Sequence, residues 1–207
     1  MATVIDYEGL GTGRAAIKRA FDLVMSAIGL VLSGWLILLA WLAASFDTRS
    51  NGFFVQQRVG KDGRLFRVVK IKTMRPSREL NTTVTRSGDP RITPLGRFFR
   101  KAKIDELPQL WNVLRGDMSF VGPRPDVPGF ADSLVGEERR LLSIRPGITG
   151  PATLKYRNEE ELLAAAEDPE AYNRDVIWPD KVRINLEYIR DWSLTADLRY
   201  IWKTVVG

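Results

Sequence analysis

Cysteine and histidine are both missing from all 207 residues. Without cysteine there is no disulfide, no thiol nucleophile and no ordinary thiolate zinc site. Without histidine there is no Ser-His-Asp triad, no imidazole general base and no histidine metal ligand. Catalysis must then rest on carboxylates, hydroxyls, lysine or arginine, and a metal would need oxygen ligands, as Mg²⁺ does. A third absence is local: from Leu23 to Phe46 there is no charged residue. Charge is plentiful elsewhere and mostly positive, with 31 Lys and Arg against 25 Asp and Glu, a net of +6. That balance favours anionic partners: phosphorylated substrates, acidic lipid headgroups or nucleic acid.

A straight helix over the uncharged run would reach about 36 Å, enough to cross a hydrocarbon core about 30 Å thick. Arg14, Lys18 and Arg19 precede the run, and Arg49, Arg58, Lys61, Arg64 and Arg67 follow it. A simple crossing would carry one of these basic flanks outside, which the positive-inside tendency disfavours. Ser33-Gly34 near the middle offers a place to kink. Each half then reaches about 15–18 Å, roughly half the core depth. A re-entrant helix with both ends at the cytoplasmic face fits the charges. The run is long for a buried soluble helix and for a cleaved signal peptide.

After the run, Phe53–Met74 reads as a β-hairpin turning at Lys61-Asp62-Gly63. Arg75–Pro94, broken by Pro76, Gly88, Pro90 and Pro94, reads as a loop, and Leu95–Lys103 as a basic helix. Leu107, Leu110, Trp111 and Leu114 have the spacing of a short amphipathic helix that Gly116 would stop. Glu159–Glu167 reads as an exposed helix. Lys181–Val206 reads as a helical segment whose Trp192, Tyr200 and Trp202 suit either a headgroup-level surface or core packing.

The chemistry concentrates in Arg100-Lys101-Ala102-Lys103-Ile104-Asp105-Glu106-Leu107-Pro108. Proline is tolerated in the first helical turn, so Pro108 puts Asp105 and Glu106 at a helix N-terminus, which favours negative charge and phosphate. Mg²⁺ bridging a carboxylate and a diphosphate would offset their repulsion. An aspartate with an unperturbed pKa near 3.9 is also a ready nucleophile towards phosphorus. Simple helix capping by Asp105 is the alternative. Arg124, between Pro123 and Pro125, and Arg145, before Pro146, project from stiff backbone and lose less entropy on gripping phosphate. Arg100 is placed to share that wall. Lys70 and Lys72 alternate along a strand and are more simply a solvated face.

Taken in order, these stretches resemble the bacterial sugar transferase family, the monotopic phosphoglycosyl transferases. The resemblance rests on Lys18–Asp22, Gln57–Gly60, Lys70–Met74, Asp105–Leu114, Gly116–Pro125, Arg145–Gly150 and Tyr188–Leu198. It implies an α+β, mainly helical fold. Residues 1–17 would be a lead, 18–48 a re-entrant membrane helix bent at Ser33 and Gly34, and 49–207 a compact cytoplasmic catalytic domain with a small β-hairpin and membrane-surface helices. The implied activity is transfer of a sugar-1-phosphate from a UDP-sugar to polyprenol (undecaprenyl) phosphate, with release of UMP. This would be the first membrane step of bacterial glycoconjugate assembly, at the cytoplasmic face of the inner membrane. The resemblance makes Asp105 the covalent nucleophile and Mg²⁺ ligand and Glu106 its assistant. Arg100, Arg124, Arg145 and Lys72 would bind phosphate. The implied partners are the donor, the lipid acceptor and membrane lipid but not nucleic acid, with self-association left open. Three positions depart from the family pattern. Gly34 replaces the usual proline of the bend. Tyr156 stands where relatives usually carry Gly and would reshape the sugar pocket. Asn185 stands where many carry Asp and is assigned no role.

Overall fold

The structure, a computed structural model, is described for residues 9–75 and 89–207. Residues 1–8 of the expected lead, and Pro76 and Gly88 of the expected loop, lie outside them. One helix dominates: α1 runs over Thr12–Thr48 and is long and apolar enough to cross a membrane. It begins ahead of residue 18 and stays helical through Ser33 and Gly34. Ser33 Oγ donates back to the Gly29 carbonyl at 2.6 Å, a bond that bends helices without breaking them.

The two ends of α1 are held by the same body. Near its start, Arg19 donates to the carbonyls of Val113 and Leu114 at 2.6 and 2.8 Å. Asp22 Oδ1 accepts from Ser119 Oγ and the Phe120 amide, both at 3.1 Å. Near its end, Ala40 and Ala44 pack with Ile71 and Phe99. Between these moorings one face still meets the body at Ser26 and Gly29, while the other opens outward, with Val31 81% and Trp35 64% exposed. A contiguous apolar face of this kind calls for lipid or a partner rather than water.

Strands β1 (Phe53–Val59) and β2 (Leu65–Ile71) form the expected antiparallel hairpin, in register from Phe53 opposite Ile71 to Val59 opposite Leu65. Helix α2 (Pro94–Lys101) starts where Thr93 Oγ1 accepts the Gly96 amide. Gly96 lies so close to the Thr73 carbonyl that a Cβ would collide with it. Helix α3 (Gln109–Arg115) ends, as expected, on Gly116 at φ 92°, a left-handed conformation that glycine adopts without strain. Its buried face differs from the expected one: Trp111 is 50% exposed, while Asn112 is buried. The Asn112 amide accepts from the Val69 amide and donates to the Arg67 carbonyl, fastening α3 to β2. These bonds act together with the buried Leu110 and Val113 in setting the helix rotation.

The two proline-rich turns contain short strands, β3 (Ser119–Val121) and β4 (Gly147–Thr149), paired in parallel. Short helices α4 (Pro151–Lys155), α5 (Glu159–Ala165) and α6 (Pro169–Tyr172) follow. The C-terminal segment is two helices, α7 (Trp178–Arg190) and α8 (Leu194–Val206), separated where Ser193 caps α8 through the Ala196 amide. Trp192 and Tyr200 belong to the core around Val121 and Ile144, whereas Trp202 is exposed. The two roles weighed for these aromatics are thus divided among them.

Candidate active site

Four segments build the site: the turn after α2, the face of β2, the proline-flanked Arg124 and the start of α3. Lys103 adopts φ 56°, unusual for a non-glycine residue, and turns the chain into a 3₁₀ turn, Ile104–Glu106. Leu107 and Pro108 then carry helical angles into α3. The acidic pair therefore occupies its own turn just ahead of α3, not the helix's first turn. Asp105 makes no capping bond. It is 9% exposed, and its Oδ1 is buried without a hydrogen-bond partner.

Glu106 is bound where Asp105 is not. Its Oε1 lies 3.0 Å from Lys70 Nζ and 3.9 Å from Arg124. The two carboxyls accordingly diverge in proton affinity. Burial, reinforced by the Glu106 charge, raises the pKa of Asp105, with Lys70, Arg100 and Lys103 only partly opposing. Burial also acts to raise Glu106, but Lys70, Arg124 and Lys103 outweigh it and hold Glu106 below its ordinary value. For Lys70 burial prevails, helped by Arg124, and its pKa falls despite the attraction of Glu106. A pair of carboxyls driven apart in this way is a recurrent sign of divided roles in catalysis. The expectation of an ordinary Asp105 pKa is thereby revised upward.

A cavity of about 350 Å³ has Lys103, Arg124, Asp126, Tyr156 and Asn185 among its lining residues; Asp105 and Glu106 are not in the lining, and Arg124 links it to Glu106. Burial pushes Asp126 up to about 6, against the pull of Lys181, Arg58 and Arg124.

Among the expected phosphate binders, Arg124 stands at Glu106 and on the cavity wall. Arg100 acts on Asp105 through its charge while its Nε donates to Thr73 Oγ1 at 2.9 Å. Two others stand elsewhere. Arg145 Nε donates to the Gly116 carbonyl at 2.7 Å, at the far end of α3. Lys72 Nζ donates to Ser50 Oγ at 2.9 Å. The lysine facing the acidic pair is Lys70, which sequence alternation treats as a solvated face.

The sequence profile of the bacterial sugar transferases matches residues 13–207. The chain belongs to the bacterial sugar transferase family. Curated members similar to it include the UDP-glucose:undecaprenyl-phosphate glucose-1-phosphate transferase of Caulobacter vibrioides, 37% identical over 91% of this chain and 68% of that protein. The exopolysaccharide production protein ExoY of Sinorhizobium fredii is 31% identical over 91% of this chain and 83% of its own length. The UDP-galactose-lipid carrier transferase of Erwinia amylovora is 34% identical, and the match spans only 39% of that longer protein.

Among the described residues, no three metal-ligating side chains stand together. Two adjacent carboxylates, one with an oxygen lacking any partner, nevertheless suit Mg²⁺, which keeps waters and takes substrate phosphates as ligands. Asp105 and Glu106 are the residues that would hold it.

Proposed function

We propose that the chain moves a sugar-1-phosphate from a UDP-sugar to polyprenol phosphate at the cytoplasmic face of the bacterial inner membrane. The observation that carries the reading is the unpartnered Asp105 oxygen, adjacent in the chain to Glu106, which Lys70 and Arg124 approach, with Arg124 and Lys103 also lining a cavity. A buried acceptor left unpaired costs about 1–3 kcal/mol, so it is retained where a ligand or reaction uses it.

In the first step an Asp105 carboxylate oxygen bonds to the sugar-bearing phosphorus, and the bridging bond to UMP breaks. Its electron pair leaves on the UMP phosphate, which needs no proton. In the second step a phosphate oxygen of the polyprenol acceptor bonds to the same phosphorus. The bond to Asp105 breaks and the carboxylate is restored. Arg124 and Lys103 balance phosphate charge, and Arg100 adds to the positive field at Asp105. Lys70 holds Glu106 as an oriented anion. Mg²⁺, when bound, neutralises diphosphate charge and strengthens the phosphorus as an electrophile.

The proposed membrane arrangement is supported by α1. Both ends are moored to one body while the apolar middle faces outward, which supports re-entry over crossing. Ser33 and Gly34 are the proposed bend. Single cysteines at Gly11 and Arg49 should both react with a cytoplasmic-side reagent; labelling from opposite sides would remove the re-entrant arrangement.

The activity is tested with the full chain in lipid nanodiscs, polyprenol phosphate, Mg²⁺ and a panel of UDP-sugars. UMP should be released from at least one donor, and chelation should stop it. Release of UDP would mean glycosyl rather than phosphoryl transfer, and no release from any donor would contradict the proposal.

A further inference from the structure

A second residue with an unpaired polar atom stands on the wall of the cavity that Arg124 and Lys103 line. Asn185, on the wall formed by α7, is 5% exposed, and its Oδ1 is buried without a hydrogen-bond partner. Packing alone does not call for an amide here, because a leucine, with the same branched skeleton, carries no polar atom to desolvate. A carboxamide presents a donor and an acceptor on adjacent atoms, and a sugar hydroxyl can meet either.

The other lining groups narrow the occupant. Tyr156 is already engaged: its hydroxyl donates to Asp180 at 2.6 Å, while Lys155 and Lys181 lie 5.5 and 5.6 Å from its ring centre. The Trp178 ring meets Phe130 edge-on at 5.9 Å. Polar groups remain: the Asn185 amide, the Thr153 hydroxyl and the Asp126 carboxylate, which makes no side-chain hydrogen bond among the described residues. Arg124 and Lys103 stand on the same cavity's wall, next to the acidic pair. The wall therefore offers cations for a diphosphate and hydrogen-bonding groups for what the diphosphate carries.

Resting on the transferase reading above, we infer that Asn185 selects the donor by hydrogen-bonding a hydroxyl of its sugar ring. The residue takes no part in the bond exchange at phosphorus. It sets which sugar is accepted by leaving its buried amide unpaired when the matching hydroxyl is absent or inverted.

The test uses the full chain in nanodiscs, with UMP release measured for UDP-glucose, UDP-galactose, their N-acetylamino counterparts, and deoxy analogues of the best donor. Asn185→Ala should lower kcat/KM for the best donor about 10- to 100-fold, the size of one lost hydrogen bond at a buried site. One deoxy analogue should suffer a similar loss with the wild type and no further loss with Asn185→Ala. Inhibition by UMP should stay unchanged. Asn185→Asp, nearly the same in shape, should reorder the donors and serves as the readout if the alanine variant does not fold. An equal loss for all donors, weakened UMP inhibition or an unchanged donor order in both variants would overturn the assignment. Absence of UMP release by the wild type from every donor would remove the transferase reading itself, and this assignment with it.

Discussion

Asp197 and Asp105 are both buried carboxylates, but their surroundings are opposite. Asp197 receives Lys18 Nζ and the Tyr188 hydroxyl, both at 2.6 Å, and the Trp192 indole at 3.0 Å. These donors join the root of α1 to α7 and α8, and the Lys18–Asp197 ion pair is almost fully enclosed. Asp105 has an oxygen with no donor among the described residues, and of the cations that act on it Lys70 is bonded to Glu106 and Arg100 to Thr73. The saturated network has nothing left to offer a ligand and reads as architecture. The unsaturated pair holds bonding capacity in reserve, which is what a nucleophile or metal ligand needs.

Substitutions should separate the two regions sharply. The largest effect is expected for Asp105→Asn, which should cut UMP release by about a thousand-fold or more. The same change removes a buried charge, so the melting temperature should hold or rise. A fall in melting temperature together with activity would make Asp105 architectural and erase the contrast. Lys18→Met should behave in the reverse sense. By leaving Asp197 buried without its cation it should cost about 3–5 kcal/mol of stability, seen in denaturant unfolding, while turnover per folded molecule survives.

Asp126 offers an intermediate case. Its folded pKa of about 6 lies above the ordinary 3.8. Between those values the folded chain keeps a proton that the unfolded chain releases, so this group's contribution to stability falls as pH rises from about 4 to 6. Asp126→Asn should remove that decline, giving a higher melting temperature than wild type at pH 8 relative to the difference at pH 4. A wild-type curve that rises over this window on account of Asp126 would contradict the assigned environment. The smallest effect is expected at Gly34, where an added Cβ meets open space. Gly34→Ala should stabilise the helix by about 1 kcal/mol or less and leave UMP release unchanged. A large loss of activity would make flexibility at this residue essential to the bend.

What the sequence displayed was local. The Asp62-Gly63 turn, the Gly116 stop and the uncharged run each follow from a few adjacent residues, and each appears in the structure. The acidic pair was visible for the same reason. Pairings between distant segments were not. Lys70 meets Glu106 only because β2 lies against the turn before α3, and alternation along a strand does not say what covers either face. Asn185 reaches the cavity from α7, where a lone buried amide looks like any other. The parallel β3–β4 pair is too short to leave a hydrophobic pattern, and its partners come from turns far apart in the chain. Ser193 is the exception: a serine three residues before Ala196 is an ordinary N-cap signal, and it marks the break that splits the C-terminal helices.

The central claim is that Asp105 becomes covalently bonded to phosphorus. Intact-protein and peptide mass spectrometry, on enzyme quenched with its best UDP-sugar and no polyprenol phosphate, tests this most directly. The account predicts one added sugar-phosphate on the peptide holding Asp105, absent in Asp105→Asn and discharged by adding the lipid acceptor. An unmodified wild-type protein under turnover conditions, or the same adduct on the Asp105→Asn variant, would contradict it.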